Sequence, residues 1–299
     1  MIATNTPKST DLRPKTDWEL DFYSRPILES DGKKRWELLI SSAPDPSATT
    51  QFRWEKRCPA SEVNSIWLTD ALKEALLDSQ EQGWEAPLRI RCWRISMRTM
   101  VQRAAAELDI EVIASRRTYA LLDWLAERER TVYPLEEGYM AGPLAPPPSP
   151  MLTPPVPLPE AVRGDAWSWA LLPIGLLREA QEWPIGFSGL LPVGANEDEN
   201  ILVPGVRMFS QTRALALAGW LGSLEPVCLV INGTQLLLEA GQDDRWLVTD
   251  LDNKTAEAAQ QNLLEAKEQA RGLQFISVQT SPDDQQFAGF WMLRDLPQP

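Results

Sequence analysis

The stretch Leu88-Arg89-Ile90-Arg91-Cys92-Trp93-Arg94 and its counterpart Ile110-Glu111-Val112-Ile113-Ala114-Ser115-Arg116-Arg117 decide how the first half of this chain is read. Each has the pattern of a short strand running into an amphipathic helix. After Ser96, a good N-cap residue, Met97, Met100, Val101, Ala104, Ala105 and Leu108 recur at helical spacing; after Ser115, Tyr119, Leu122 and Leu125 do the same. Strand–helix–strand connections within one sheet are right-handed and make the strands parallel neighbours. Their carboxyl ends then share one sheet edge, where open α/β sheets take ligands. That edge is expected to carry Arg94, Arg98, Arg116 and Arg117 beside two helix N-termini, which favour anions such as phosphate.

Upstream, three segments alternate apolar and charged residues: Asp17-Trp18-Glu19-Leu20-Asp21-Phe22, Arg35-Trp36-Glu37-Leu38-Leu39-Ile40 and Gln51-Phe52-Arg53-Trp54-Glu55-Lys56-Arg57. Alternation predicts strands with one apolar and one charged face. Asp31-Gly32 between the first two is a hairpin signal. Trp18, Leu20, Phe22, Trp36, Leu38, Phe52, Trp54, Leu88, Ile90 and Cys92 are expected to share the apolar face. A helix is predicted from about Glu62 to Gln80, capped by Ser61 and buried along Val63, Ile66, Trp67, Leu72, Leu76 and Leu77. The order β-β-β-α-β-α-β-α is that of ribonuclease H-like domains, in which the first strand sits beside the fourth. That pairing sets Asp17, Glu19 and Asp21 against Arg89 and Arg91, so these two arginines are read as structural and the other four as binding groups.

This order raises a metal-dependent nuclease as one reading. Such hydrolysis needs carboxylates converging on two metal ions. Asp21 supplies the first, and Asp70 or Glu74 the second, but the fourth strand ends in Trp93 and Arg94, and a cation there repels metal. A binding scaffold without catalytic or metal-ligating residues is the preferred reading. The chain has no histidine, which rules out Ser-His-Asp and Cys-His catalysis and histidine-ligated metals. Its glycines form no phosphate-cradling loop, and no cofactor is expected.

The 299 residues suit two domains, and the net charge of −13 is unevenly spread. Residues 1–135 hold 20 of the 29 basic and 21 of the 42 acidic residues, a net of −1; the remainder is net −12. Any polyanion binding is therefore expected to be local to the first half. Cys58, Cys92 and Cys228 are too few and too far apart for a disulfide framework or a zinc pattern, which suits a reducing compartment. There is no signal-peptide pattern, and no apolar run is long enough to span a bilayer. Residues 1–16 read as a disordered tail and 17–133 as the N-terminal α/β domain. Residues 134–160, with ten prolines between Pro134 and Pro159, read as a Pro-rich linker, with an SH3-type ligand as the other reading.

Residues 161–299 read as an acidic mixed α/β domain. Strands are predicted at 167–172, 227–231, 235–239, 245–249, 273–278 and 287–293, and helices at 213–221 and 255–271, with Asn232-Gly233 as a hairpin turn. Asp243-Asp244, Asp250 and Asp252, and the run Glu197-Asp198-Glu199, read as solvated loops rather than metal clusters.

The segment Asp17-Trp18-Glu19-Leu20-Asp21-Phe22-Tyr23-Ser24-Arg25-Pro26-Ile27-Leu28, followed by Asp31-Gly32-Lys33-Lys34-Arg35-Trp36-Glu37-Leu38, resembles the start of the Tab-two/Atab-two family. Residues 90–97, Ser115-Arg116-Arg117-Thr118, Glu182-Trp183-Pro184-Ile185-Gly186-Phe187, residues 201–209 and Ala288-Gly289-Phe290-Trp291-Met292-Leu293 extend the resemblance over nearly the whole chain. The family occurs in cyanobacteria and chloroplasts. The resemblance implies a single-stranded RNA-binding factor for photosystem messenger translation and biogenesis, chiefly for photosystem I. It further implies contacts in a 5' untranslated region, protein partners in translation or assembly, and a cytoplasmic or plastid-stromal location without membrane insertion. The family's Trp-Leu-Leu tripeptide, linked to RNA binding, falls on Trp291, Met292 and Leu293. Strand alternation puts Trp291 and Leu293 on one face and Phe290 and Met292 on the other, so this strand reads as buried on both sides. The alternative function is a protein–protein scaffold in photosystem assembly.

Overall fold

The computed structural model describes residues 16–48, 50–141 and 153–296. Residues 1–15 of the expected tail and 142–152 of the expected linker lie outside them. The chain forms two compact units. The first runs to Pro148 without Asp45–Ser47 and Ser115–Arg117; those two short segments group with Ser149–Pro299 in the second.

In the first unit the elements are β1 (Trp18–Leu28), β2 (Lys34–Ser42), β3 (Arg53–Cys58), α1 (Ser65–Glu81), β4 (Arg89–Cys92), α2 (Arg98–Ala106), β5 (Glu111–Ala114) and α3 (Tyr119–Thr131). The sheet order is β3-β2-β1-β4-β5. β1 pairs antiparallel with β2 and parallel with β4, so the first strand does lie beside the fourth. The ribonuclease H-like description rests on this strand order alone. Trp18, Leu20, Phe22, Leu38, Ile40, Phe52, Ile90 and Cys92 bury one face under α1 and α2. Glu19 and Asp21 point to the other face, where Leu121 N of α3 donates to Glu19 Oε2 at 2.8 Å.

Several local expectations shift. Leu88 is exposed just before β4 rather than in the core. The cap of α1 is Asn64, whose side chain accepts from Ile66 N and Trp67 N, not Ser61. The buried stripe of α1 is Leu68, Ala71, Leu72 and Ala75, and Ile66 and Leu77 are exposed. Ser96 sits inside a 3-10 turn, Ile95–Met97, and α2 begins at Arg98.

The second unit holds β6 (Val156–Pro157), β7 (Ala166–Pro173), α4 (Ile174–Arg178), β8 (Ile185–Gly189), β9 (Leu202–Phe209), α5 (Ala214–Ser223), β10 (Pro226–Asn232), β11 (Gln235–Ala240), β12 (Asp244–Asp250), α6 (Ala256–Gln269), β13 (Leu273–Gln279) and β14 (Phe287–Arg294). They form two sheets, β10-β11-β12-β6 and β7-β9-β13-β14-β8. Val206, Met208, Leu217, Leu221, Leu229, Leu236, Leu238, Ile276, Trp291 and Leu293 share their core.

The stretch read as linker is built in at both described ends. Leu28 N donates to Gly138 O and Met140 N to Pro26 O, each at 2.8 Å, within the first unit. In the second, Val156 and Pro157 pair with Trp246 and Leu247, and Leu158 is buried. Proline is tolerated there because β6 is an edge strand, where a missing N–H breaks no ladder.

Candidate nucleic-acid interface

The expected arginine edge is divided. Arg94 and Arg98 belong to the first unit and Arg116 and Arg117 to the second. Three of the four guanidinium groups are withdrawn from solvent: Arg94 is 7% exposed, Arg116 5% and Arg117 8%.

Arg94 leaves the end of β4 and reaches Asp21 on β1. Its Nε donates to Asp21 Oδ1 and its Nη2 to Oδ2 at 3.3 Å. Its guanidinium lies 3.9 Å from the ring centre of Tyr23 and 4.1 Å from that of Trp93. Arg25 Nη1 donates to the same carboxylate at 2.8 Å. Burial alone would raise the Asp21 carboxyl; the charges and hydrogen bonds of Arg94 and Arg25 outweigh it and hold the group below its ordinary 3.8. The network continues to Glu37, which faces Arg25 Nε at 3.4 Å and accepts from Tyr133 Oη at 2.9 Å. Arg128 donates to Tyr133 Oη at 3.1 Å and pairs with Glu55. Burial pushes the Tyr133 phenol up to about 12.

This geometry speaks against the nuclease reading. Asp21 already faces two cations on the α3 side of the sheet. Asp70 and Glu74 lie on α1, which packs on the opposite face, and they pair with Lys73 and Lys56. No group of three potential metal ligands forms among the described residues. The three thiols are buried and pushed up to about 12 by desolvation, which leaves no thiolate nucleophile at neutral pH.

Arg116 Nη1 donates to Glu239 Oε2 at 2.9 Å. Arg117 donates from Nη1 to Pro226 O at 2.9 Å and from Nη2 to Gly189 O at 2.8 Å. Both side chains therefore act as ties within the second unit. Of the three acids set against Arg89 and Arg91, Asp17 binds both, through Oδ2 from each Nη2 at 2.8 and 2.7 Å, whereas Asp21 binds Arg25 and Arg94.

Trp291, Met292 and Leu293 lie in β14, between β13 and β8, and all three are buried. A Cβ on Gly189 would sit 2.6 Å from the Trp291 ring, and one on Gly289 2.3 Å. The indole is thus seated over two glycines of its own sheet. A base-stacking role requires an exposed face, which this ring does not present.

Arg98 alone of the four arginines is exposed, at the first turn of α2. Thr99, Gln102 and Arg103 are exposed on the same helix. The sequence carried a signal for this surface that strand-end reasoning passed over. Residues 86–106 contain five arginines and no acid. Arg89, Arg91 and Arg94 bind Asp17 or Asp21, and Arg98 and Arg103 are exposed.

Comparison with known proteins gives these features a context. The family model described as "RNA-binding protein Tab2/Atab2 N terminal" matches residues 17–128, and the one described as "RNA-binding protein Tab2/Atab2, C-terminal domain" matches residues 146–294. The chain belongs to the Tab2/Atab2 family. It is 35% identical over 303 residues to "Protein TAB2 homolog, chloroplastic" of Zea mays, covering 97% of this chain and 74% of that protein. It is 35% identical over 298 residues to the protein of the same name from Arabidopsis thaliana, covering 95% and 75%. No solved structure matches. The two Tab2/Atab2 domains correspond in order to the two units. No helix among the described residues is long and apolar enough to cross a membrane.

Proposed function

We propose that this protein binds single-stranded RNA and acts as a translation and biogenesis factor for photosystem messengers, chiefly those of photosystem I. The observation that carries this reading is that both domains of an RNA-binding family match, one on each unit. The chloroplastic relatives support an organelle-stromal location, or the cytoplasm in a cyanobacterial host. The proposed contact surface is the exposed face of α2, with Arg98 and Arg103 on phosphates and Thr99 and Gln102 as neutral hydrogen-bonding groups. Phosphate contacts fix affinity and register without reading sequence.

The test is RNA binding by the full chain. The probes are a labelled 5' untranslated region of a photosystem I messenger and an unrelated RNA of equal length, titrated with salt. An Arg98→Ala/Arg103→Ala variant is expected to weaken binding to both RNAs alike. It should also flatten the salt dependence by about 0.7 for each phosphate no longer neutralised. Unchanged affinity and slope would remove α2 from the reading. Absence of RNA binding by the unaltered chain would remove the reading itself.

A further inference from the structure

The five-stranded sheet of the second unit ends in β7. β9 pairs along its whole length, from Ala166↔Phe209 to Pro173↔Leu202, and no strand lies on its other side among the described residues. A sheet edge offers N–H and C=O groups to another chain unless charge, proline or a bulge blocks it. The segment Ala166-Trp167-Ser168-Trp169-Ala170-Leu171-Leu172 has neither charge nor proline, and its register with β9 is unbroken. Trp169 is 39% exposed and Leu171 53%.

These two side chains stand opposite Val206 and Pro204 on the face toward α6. Between them and α6 lies a groove of about 530 Å³, lined by Trp169, Leu171, Pro204, Ala258, Asn262 and Ala266 among others. The small side chains of α6 leave this space open. The exposed charges of α6 are all acidic: Glu257, Glu265 and Glu268. Its one lysine, Lys267, is buried and donates to Leu229 O at 2.6 Å and Asp295 Oδ1 at 2.9 Å. Helical spacing sets Glu265 in line with Ala258, at the solvent lip of the groove.

We propose that β7 and this groove receive an extended segment of a partner protein as an added strand. Its alternate apolar side chains enter the groove, and a Lys or Arg residue faces Glu265 at the lip. Main-chain pairing supplies affinity and the groove supplies selectivity. A second copy of this chain is a poorer occupant, since residues 136–299 carry a net charge of −12 that would meet itself. The proposal stands apart from the RNA reading, because none of its residues lies on α2.

The experiment is selection of a displayed random-peptide library against the full chain, followed by fluorescence anisotropy of a synthetic enriched peptide. The expected enrichment is for sequences that alternate apolar residues with Lys or Arg. Trp169→Lys places a charge on the edge, and Ala258→Phe fills the groove from an exposed helix position. Each is expected to weaken peptide binding by at least about tenfold, as loss of a central anchor does, with the thermal midpoint and RNA affinity unchanged. Glu265→Lys is expected to weaken binding and reduce its salt dependence. Enrichment of acidic sequences, no enrichment, or equal affinity in all variants would overturn the proposal. A dimer in sedimentation that Trp169→Lys dissociates, or RNA binding lost in that variant, would overturn it by assigning the groove to another occupant.

Discussion

Asp21 is the residue on which the ion cluster of the first unit converges. It sits on the first strand, where a metal-dependent nuclease would place a ligand, yet Arg25 and Arg94 hold it as the centre of a buried ion cluster. Asp21→Asn is expected to leave two buried cations without their carboxylate and to destabilise the first unit by about 3–5 kcal/mol in denaturant unfolding. The pH dependence follows from the same cluster. The folded carboxyl titrates below the ordinary 3.8, so its stabilising contribution is present above that value and is lost as pH falls below it. Acid unfolding of the unaltered protein should therefore be steeper below pH 3.8 than that of Asp21→Asn. Tyr133 gives the alkaline counterpart. With its phenol raised to about 12, the stability linked to the neutral ring is complete below the ordinary 10.0 and declines as pH rises between the two values. Phenolate absorbance near 10 in the folded protein that disappears in Tyr133→Phe would contradict the buried network. The sequence disclosed the arginines at 94, 116 and 117 but not their destinations. Asp21, Glu239, Pro226 and Gly189 are 73, 123, 109 and 72 positions away, beyond what local pattern reports.

Strands that alternate strictly, and helices with a clean apolar stripe, were legible at the level of elements. The order of the first unit followed from alternation and helical spacing, the parallel pairing of β4 with β5 from the right-handed crossover rule, and the pairing of β1 with β4 from the likeness of that order to ribonuclease H-like domains. β9 escaped because Pro204-Gly205 reads as a turn. In the fold Gly205 is required there, since a Cβ would lie 2.4 Å from the Phe275 ring. β8, Ile185-Gly186-Phe187-Ser188-Gly189, was hidden by its two glycines, one seated against Ala288 O and the other beneath Trp291. β14 carries the prediction that belongs at this scale. Trp291→Ala removes a buried indole and is expected to cost about 3–5 kcal/mol, with RNA binding lost only in step with unfolding of the second unit. Trp291→Phe should retain more stability and full RNA affinity per folded molecule. A Trp291→Ala protein that stays folded, by circular dichroism and thermal unfolding, but no longer binds RNA would restore a direct contact role for the tripeptide.

For the whole molecule, division of charge is read from composition; the proline content suggests a boundary, and both described ends of the Pro-rich stretch are anchored within the units. The proposed surface is only half legible in sequence: the arginine-rich run marks residues 86–106, and burial in the fold leaves Arg98 and Arg103 as its exposed members. A broad-specificity protease is expected to cut first between residues 142 and 152, between the two anchored ends of the Pro-rich stretch. N-terminal sequencing of the fragments checks this. Early cleavage at 153–160 instead would contradict the seating of Val156 and Pro157 against β12 and of Leu158 in the core.

The ion cluster around Asp21 also limits what can stand at the end of β4. A metal site built on Asp21 would need an acid in place of Arg94. Such a replacement would bring a second carboxylate beside Asp21 with only Arg25 left to balance both. Two buried like charges with too few counter-ions are disfavoured, so the altered chain would fold poorly before it could bind metal. Arg94 thus works as a lock: the demands of folding that keep it in place also keep a second carboxylate away from Asp21.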